Sequence, residues 1–275
     1  MDWQDVVAMA LAEDIGPGDI TTQATVPVGL MARGVILAKQ AGVLAGLEVA
    51  AECFYQVDGD TDFQPRLAEG DEFAAGAQLA VVIGQAGSLL TAERTALNFL
   101  QRLCGTATLT RAFVDRVSGA KARIVDTRKT APGLRQVQRA AVRAGGGGNH
   151  RFALYDGVLL KDNHIAVAGG IGPAVAAAKA GAPHTLKIEV EVTDLEQLQE
   201  AIAAGADVAL LDNMSSAAMR QAVALAAGRL LLEASGGVTL ANVAEVAATG
   251  VDLISVGALT HSAPAIDLSL EIVPI

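Results

Sequence analysis

The chain has 275 residues, of which 52% are hydrophobic and 18% charged, and its 30 acidic and 20 basic side chains give a formal net charge of −10. This length predicts one large domain or two ordinary ones, the apolar content excludes a disordered chain, and the acidic balance argues against a nucleic-acid partner. No apolar run is long enough to cross a membrane, the N-terminus lacks a basic signal region, and the two cysteines lie far apart, so we expect a cytoplasmic protein.

The first 105 or so residues mix predicted strands and helices without a regular alternation. Apolar residues at helical spacing predict a helix over residues 3–13. Short apolar runs predict strands at 32–38, 42–47 and 79–83, and a helix at 50–55.

A long helical pattern follows, with Thr91 as its predicted N-cap and Arg94 on its polar face. Gly105 is expected to interrupt this helix. A second helical stretch is predicted over residues 109–117.

From about residue 120, short apolar runs alternate with alanine-rich helical segments. Six strands are predicted, at 123–127, 157–161, 186–192, 208–212, 230–235 and 253–257. Five helices are predicted between them, at 133–144, 172–180, 194–204, 215–226 and 239–249, each followed by a glycine suited to a left-handed cap. Such alternation predicts a parallel sheet with helices outside, either a (β/α) barrel, complete or incomplete, or an open doubly wound sheet.

Polar residues stand at or near the carboxyl end of each predicted strand of this series. They are Asp126, Lys161, Glu191, Asp212, Ser235 and Ser255. In (β/α) barrels the active site is built on that face.

The third strand of the series carries charges on one face, because a period of two aligns Lys187, Glu189 and Glu191. Buried charges cost several kcal/mol unless they are paired or bound to a metal or ligand. The pattern therefore predicts either a site or an internal ion pair between Lys187 and Glu189.

Five cationic side chains fall within 34 positions of one another at predicted active-face loops. They are Arg128, Lys129, His150, Arg151 and Lys161. A basic cluster in an acidic chain favours a small polyanionic ligand with carboxylates, phosphates or both. The loops Ser235-Gly236-Gly237 and Ser255-Val256-Gly257 favour a phosphate, because glycine lets backbone N–H groups approach an anion.

Four motifs in this chain closely resemble the quinolinate phosphoribosyltransferase family, also called nicotinate-nucleotide pyrophosphorylase (carboxylating). They are residues 93–100, 126–133, Asn149-His150-Arg151 and 156–164. The resemblance implies an N-terminal α/β sandwich domain over residues 1–105, an incomplete α/β barrel over 106–264, and a return of residues 265–275 to the first domain. It also implies a homodimer or hexamer whose sites are shared between a barrel and the neighbour's N-terminal domain.

The resemblance implies a glycosyltransferase of NAD biosynthesis. It would join quinolinate to phosphoribosyl pyrophosphate and release pyrophosphate and CO2, leaving nicotinate mononucleotide. The implied catalytic residues are Lys129, Lys161, Glu191 and Asp212, and the last two would hold Mg²⁺ directly or through water. The implied substrate-binding residues are Arg94 (from the partner subunit), Thr127, Arg128, Lys129, His150, Arg151, Lys161, Glu191, Asp212, Ser235, Gly236, Gly237, Ser255, Val256 and Gly257.

Three alternatives stay open at this point. One is a family relative linked to molybdenum transport, which would be expected to lose parts of the motifs around His150 and Lys161. Another is a Schiff-base aldolase using Lys161, which would need an apolar pocket to lower its pKa. The third is a non-catalytic sensor of a phosphate ligand.

Overall fold

A computed structural model describes residues 2–275 of the chain. Its contacts separate two compact units. The first unit comprises the chain up to Arg111, Thr130–Gly146 and Ala258–Ile275, and the second comprises Ala112–Lys129 and Gly147–Gly257. The domain limits implied by the resemblance stay a prediction.

The first unit contains most of the N-terminal elements. They are α1 (Trp3–Ile15), α2 (Ile20–Thr25), β1 (Met31–Ala38), β2 (Gly42–Val43), α3 (Leu47–Val57), β3 (Asp62–Pro65), β4 (Glu72–Phe73), β5 (Gln78–Gln85) and the long α4 (Ala86–Arg116). Capping explains where the first two helices begin, since the side chains of Asp2 and Asp19 accept backbone N–H groups at their N-termini.

The two units share the remaining elements. They are β6 (Arg123–Val125), α5 (Arg135–Ala144), β7 (Val158–Leu160), α6 (Asp162–Ala168), α7 (Ile171–Gly181), β8 (Ile188–Val192), α8 (Leu195–Ala204), β9 (Val208–Asp212), α9 (Ser216–Ala226), β10 (Leu231–Ser235), α10 (Val243–Ala247), β11 (Leu253–Ser255), α11 (Ala258–His261) and β12 (Leu268–Pro274).

An antiparallel sheet with the order β12-β1-β5-β3 forms the scaffold of the first unit. The last strand pairs with β1 from Ala32 opposite Pro274 to Ala38 opposite Leu268. Apolar side chains of this sheet and of helices α1, α3 and α4 form one buried core. Burial of that shared core is the main force holding sheet and helices together.

Helix α4 corrects two sequence-based expectations. It begins at Ala86, so Thr91 lies inside the helix and is not its N-cap. It also continues through Gly105, where a Cβ would collide with the carbonyl oxygen of Pro264. Gly105 therefore permits close packing of the C-terminal segment against the helix and does not interrupt it.

A six-stranded parallel sheet with the order β6-β11-β10-β9-β8-β7 forms the core of the second unit. All six predicted strands are confirmed; β9 has the predicted bounds, and the other five are shorter than predicted. Strands β7 to β11 follow one another without a change of direction, and β6 lies beside β11. Such single winding is that of an incomplete barrel, so the doubly wound alternative is wrong.

Glycines confirm some of the predicted helix ends and not others. Gly205, Gly228 and Gly250 have φ values of 75°, 76° and 93°, which is left-handed backbone. Gly145 has a φ of −73°, and Gly181 is the last residue of α7. A Cβ on Gly145 would collide with the carbonyl oxygen of Ala107, so close packing is the reason for glycine there. Among the described residues, no helix has the length and apolar character needed to cross a membrane.

Candidate active site

The parallel sheet of the second unit holds a buried acidic cluster, near the start of β8 and in the middle of β10. Glu189 on β8 and Glu233 on β10 are 7% and 1% exposed. Their carboxylates face the ring of His150, whose Nε2 lies 3.0 Å from Glu189 Oε2 and 3.6 Å from Glu233 Oε1. Lys187 is exposed and precedes β8, so the predicted alternative of a Lys187–Glu189 ion pair is wrong.

Burial has the largest effect on the pKa of Glu233, which is raised to about 7. The charge of Glu189 also raises this pKa, and the charge of His150 lowers it. Burial lowers the pKa of His150, but the hydrogen bond to Glu189 and the two carboxylate charges outweigh it, so that pKa is raised. Proton binding at Glu233 and at His150 is therefore coupled, because the charge of each shifts the pKa of the other.

Asp126 ties the segment that carries His150 to the end of β6. Its side chain is fully buried. One carboxylate oxygen accepts the Asn149 side-chain amide at 2.6 Å, and the other accepts the backbone N–H of His150 at 2.8 Å. Two charge-assisted bonds of this kind hold the segment more firmly than neutral ones would.

Both ring nitrogens of His150 are engaged by protein groups. Nδ1 accepts the backbone N–H of Arg151 at 2.7 Å, and Nε2 faces the carboxylates of Glu189 and Glu233. A direct bond from His150 to a substrate carboxylate would require one of these contacts to break. Its predicted role as a substrate ligand stays a prediction.

Arg151 lies close enough to Arg128 for the charge of Arg128 to affect it. Burial and the charge of Arg128 lower the pKa of Arg151. The side-chain Nε of Arg128 is buried and has no hydrogen-bond partner among the described residues. Arg151 Nη1 donates to the carbonyl oxygen of Gly157 at 2.9 Å. Two neighbouring guanidinium groups with an unused buried donor are suited to bind an anion.

Lys161 and Glu191 form an ion pair between the ends of β7 and β8. Lys161 Nζ lies 2.9 Å from Glu191 Oε2, and the two side chains are 49% and 15% exposed. The backbone N–H of Lys161 donates to His164 Nδ1 at 3.1 Å. A half-exposed, ion-paired lysine does not have the apolar surroundings that a Schiff-base lysine requires.

The residues after β6 continue the same edge. Thr127 and Arg128 are partly buried, whereas Lys129 is exposed. The backbone N–H of Lys129 donates to Thr127 Oγ1 at 3.0 Å. This turn directs the chain past the end of the strand and leaves the Lys129 side chain open to solvent.

The loop after β10 has the backbone geometry of an anion cradle. Gly236 and Gly237 have φ values of 88° and 62° and are exposed. Within the part of the chain that the structure describes, neither glycine N–H donates a hydrogen bond. Asn213 packs against Gly236, where a Cβ would collide with its side-chain oxygen. Successive unused N–H groups in a left-handed turn favour a bound anion.

The second predicted phosphate loop differs. Ser255 is the last residue of β11 and is 4% exposed, and its hydroxyl lies 3.5 Å from the carbonyl oxygen of Ala234. The backbone N–H of Val256 donates to Val125 at 3.0 Å. These two residues complete the sheet, because their polar groups already have partners within it.

Glu191 and Asp212 end the neighbouring strands β8 and β9. Each has one oxygen engaged, Glu191 by Lys161 and Asp212 by the side-chain amide of Asn213 at 2.9 Å. Carboxylate oxygens are ligands that Mg²⁺ prefers, and Mg²⁺ usually keeps several waters and binds few protein groups. The pair therefore fits the ion predicted from the resemblance.

Among the described residues, the one group of three or more metal-ligating side chains is His150, Glu189 and Glu233, with ligand atoms within 4.8 Å of one another. The predicted catalytic, substrate-binding and metal-binding residues did not include Glu189, Glu233 or Asn149, although the charged face of the third strand indicated that Glu189 belongs to a site or an ion pair. The same signal, a carboxylate on the inward face of a strand, could have identified Glu233. Arg94 is exposed on α4 in the first unit.

Comparison with known proteins gives consistent matches over nearly the whole chain. A family model described as quinolinate phosphoribosyl transferase, N-terminal domain, matches residues 19–104, and its C-terminal domain counterpart matches residues 106–271. The nicotinate-nucleotide pyrophosphorylase [carboxylating] of Mycobacterium leprae is 46% identical, covering 98% of this chain and 96% of its own. A probable enzyme of the same name from Synechocystis is 47% identical, covering 96% and 90%. The crystal structure of NadC from Streptococcus pyogenes is 42% identical, covers 98% of this chain and 96% of that chain, and has a TM-score of 0.95.

Proposed function

The chain belongs to the quinolinate phosphoribosyltransferase family, and on this basis we propose that it converts quinolinate and phosphoribosyl pyrophosphate into nicotinate mononucleotide, pyrophosphate and CO2. The observation that carries this function is the proximity of Arg128 to Arg151 in the same unit as the Lys161–Glu191 ion pair, within a family match that spans the chain. Quinolinate carries two adjacent carboxylates, which a pair of guanidinium groups is suited to bind.

Arg128 and Arg151 bind the quinolinate carboxylates. The buried Nε of Arg128 has no partner among the described residues and is therefore ready to donate to a ligand. Lys161 supplies a third cation nearby, held by Glu191. Because these groups form an anion site without substrate, little side-chain reorganisation is needed when the dicarboxylate binds.

Phosphoribosyl pyrophosphate binds along the neighbouring strand ends. Gly236 and Gly237 accept its 5′-phosphate with their unused backbone N–H groups. Glu191 and Asp212 hold the ribose hydroxyls and would hold Mg²⁺, which when bound would neutralise charge on the pyrophosphate. Lys129, exposed after β6, faces the pyrophosphate.

The first chemical step forms the bond between the quinolinate ring nitrogen and ribose C1. The nitrogen lone pair attacks C1 while the bond from C1 to the pyrophosphate oxygen breaks, and pyrophosphate leaves with that electron pair. Positive charge develops on the ribose, and the carboxylates of Glu191 and Asp212 stabilise it. Lys129 stabilises the leaving group.

The second step removes the 2-carboxylate. The bond from C2 to that carboxylate breaks, CO2 leaves, and the electron pair stays at C2, where the positively charged ring nitrogen stabilises it. A proton then binds at C2, supplied by water or by Lys161. The quaternised ring serves as the electron sink, so no separate organic cofactor is required for this step.

The site is completed by a second copy of the chain in this proposal. Arg94 would reach the quinolinate pocket of a neighbouring subunit in a homodimer or hexamer. The cellular location, expected to be cytoplasmic, also stays a prediction. Mixing Arg94→Ala subunits with Lys161→Ala subunits tests the sharing of sites. Recovered activity in the mixed assembly is the expected result, and an inactive mixed assembly would refute shared sites.

The proposed reaction is tested by identifying the nucleotide product. The enzyme is incubated with quinolinate, phosphoribosyl pyrophosphate and Mg²⁺, and the mixture is analysed by mass spectrometry. Nicotinate mononucleotide is the expected product. Tight substrate binding without any nucleotide would refute the enzyme and favour the sensor. Borohydride trapping of Lys161 on a carbonyl substrate would favour the aldolase.

A further inference from the structure

We propose that Glu189, supported by Glu233, is a positioning residue for Arg151 that acts through the ring of His150. The inference rests on the proposed function, because it assigns the buried acids to the placement of an arginine that binds quinolinate. It explains why two buried carboxylates lie close to a pocket that binds an anion, although their negative charge is unfavourable there.

The chain of contacts starts on rigid backbone. Glu189 lies on β8, which is paired on both sides by β7 and β9, and Glu233 lies on β10, which is paired on both sides by β9 and β11. Side chains on interior strands of a sheet are placed more precisely than side chains on loops. Both carboxylates therefore act as fixed points for the segment that carries His150.

The imidazole of His150 connects Glu189 to the backbone of Arg151. The Nε2 of His150 lies 3.0 Å from Glu189 Oε2, and its Nδ1 accepts the backbone N–H of Arg151 at 2.7 Å. A nitrogen that accepts an N–H must carry a lone pair, so the proton of the neutral ring sits on Nε2 and points at Glu189. The carboxylate thus selects the tautomer and the ring orientation that hold the Arg151 backbone.

Arg151 is the last residue in this series of contacts. Its backbone is held by His150, and its guanidinium Nη1 is held by the carbonyl oxygen of Gly157 at 2.9 Å. Gly157 has no side chain, and an added Cβ would lie 3.1 Å from Cβ of Arg151. Loss of the Glu189 contact frees the ring, and a displaced ring shifts the arginine that must meet the substrate.

The test compares Glu189→Ala with Glu189→Gln, since glutamine keeps an oxygen that can accept the Nε2–H. We expect Glu189→Ala to raise the KM for quinolinate on the order of tenfold while the KM for phosphoribosyl pyrophosphate changes less than about twofold. Glu189→Gln is expected to restore most of the quinolinate affinity. Equal changes in both KM values, or no rescue by glutamine, would overturn the proposal.

Asp252→Ala is the matched control. Asp252 precedes β11 at the opposite end of the same sheet, where it accepts the backbone N–H of Leu232 at 2.9 Å and pairs with Lys121 at 2.5 Å. Its removal is expected to lower Tm without raising the KM for quinolinate selectively. If Asp252→Ala also raised that KM about tenfold, general destabilisation would explain the Glu189 result and the proposal would fail.

A second readout does not depend on turnover. The chain has four histidines, so ¹⁵N-histidine NMR gives few ring signals, and a His150→Gln variant identifies the pair from His150. At a pH high enough for the ring to be neutral, we expect the Nε2–H tautomer in the unmodified protein and in Glu189→Gln, and a mixture of tautomers in Glu189→Ala. An unchanged tautomer in Glu189→Ala would overturn the proposal. Absent turnover with the expected tautomers would refute the proposed function alone.

Metal analysis separates positioning from cation binding by the same three side chains. We expect the metal content of the purified unmodified protein and that of Glu189→Ala to be the same. A metal ion lost specifically in that variant would show that His150, Glu189 and Glu233 are ligands and would overturn the positioning role.

Discussion

Removing the guanidinium of Arg128 isolates the contribution of the anion site. The Nε of Arg128 is buried without a hydrogen-bond partner among the described residues, whereas Arg151 also holds the backbone at Gly157. Truncation of Arg128 is therefore expected to remove bonds to the ligand more than bonds within the fold. Arg128→Ala should weaken quinolinate strongly and phosphoribosyl pyrophosphate much less.

The magnitude follows from the number of bonds lost. Each charge-assisted hydrogen bond contributes ~1.5–3 kcal/mol, so losing one bond to a carboxylate corresponds to about 10- to 150-fold in affinity, and losing a second bond lowers it further. Arg128→Lys keeps the charge but loses the planar fork, and an intermediate loss is expected. Isothermal titration calorimetry with quinolinate measures the loss, and steady-state kinetics gives the KM for each substrate.

Arg123→Ala is the matched control for this variant. Arg123 begins the same strand, β6, is exposed, and stands at the opposite end of the sheet. Its loss is expected to leave both substrate affinities within about twofold of the unmodified protein. An equal loss of affinity for both substrates in Arg128→Ala would refute the assignment of Arg128 to the dicarboxylate.

Three further outcomes follow from the structure. Because the pKa of Glu233 is raised to about 7, its protonated form is favoured in the folded state, and the free energy of unfolding should fall as pH rises from about 4.5 through 7. Glutamine cannot ionise, so the free energy of unfolding of Glu233→Gln should exceed that of the unmodified protein by on the order of 2 kcal/mol at pH 8 and equal it at pH 4.5. Denaturant titration at both pH values measures this difference. Gly236→Ala, whose Cβ would collide with Asn213, should raise the KM for phosphoribosyl pyrophosphate about tenfold and leave that for quinolinate unchanged, a result that equal effects in steady-state kinetics would contradict. Burial raises the pKa of Cys53 and of Cys104 to about 12, so a thiol reagent at pH 8 should label neither in the folded protein and both after unfolding; rapid labelling of the folded protein would show that burial does not protect them.

The strands of the second unit could be predicted from sequence because each is a short apolar run between helical segments of different period. The order of β7 to β11 then follows from single winding. Helix α6 (Asp162–Ala168) could not be predicted in the same way, because it has no buried residue and therefore no apolar periodicity. Gly105 and Gly145 were misjudged because close packing against distant segments, and not local conformation, requires glycine there.

The cations of the candidate site could also be located from sequence, since they follow predicted strands. The orientation of His150 could not, because its ring is set by Glu189 and Glu233, which lie 39 and 83 positions away on two non-adjacent strands. The sequence pattern likewise predicts a phosphate loop at Ser255 but not that the strand extends to this residue and buries it; the phosphate contact stays a prediction. Long-range pairing decides such details, and local periodicity carries no information about it.

The most direct test of the account measures pyrophosphate and CO2 together, with quinolinate and nicotinate run in parallel alongside phosphoribosyl pyrophosphate and Mg²⁺. The account predicts equal amounts of both products with quinolinate and neither with nicotinate, because the two carboxylates are what Arg128 and Arg151 recognise. Turnover of nicotinate, or pyrophosphate release from quinolinate without CO2, would contradict it.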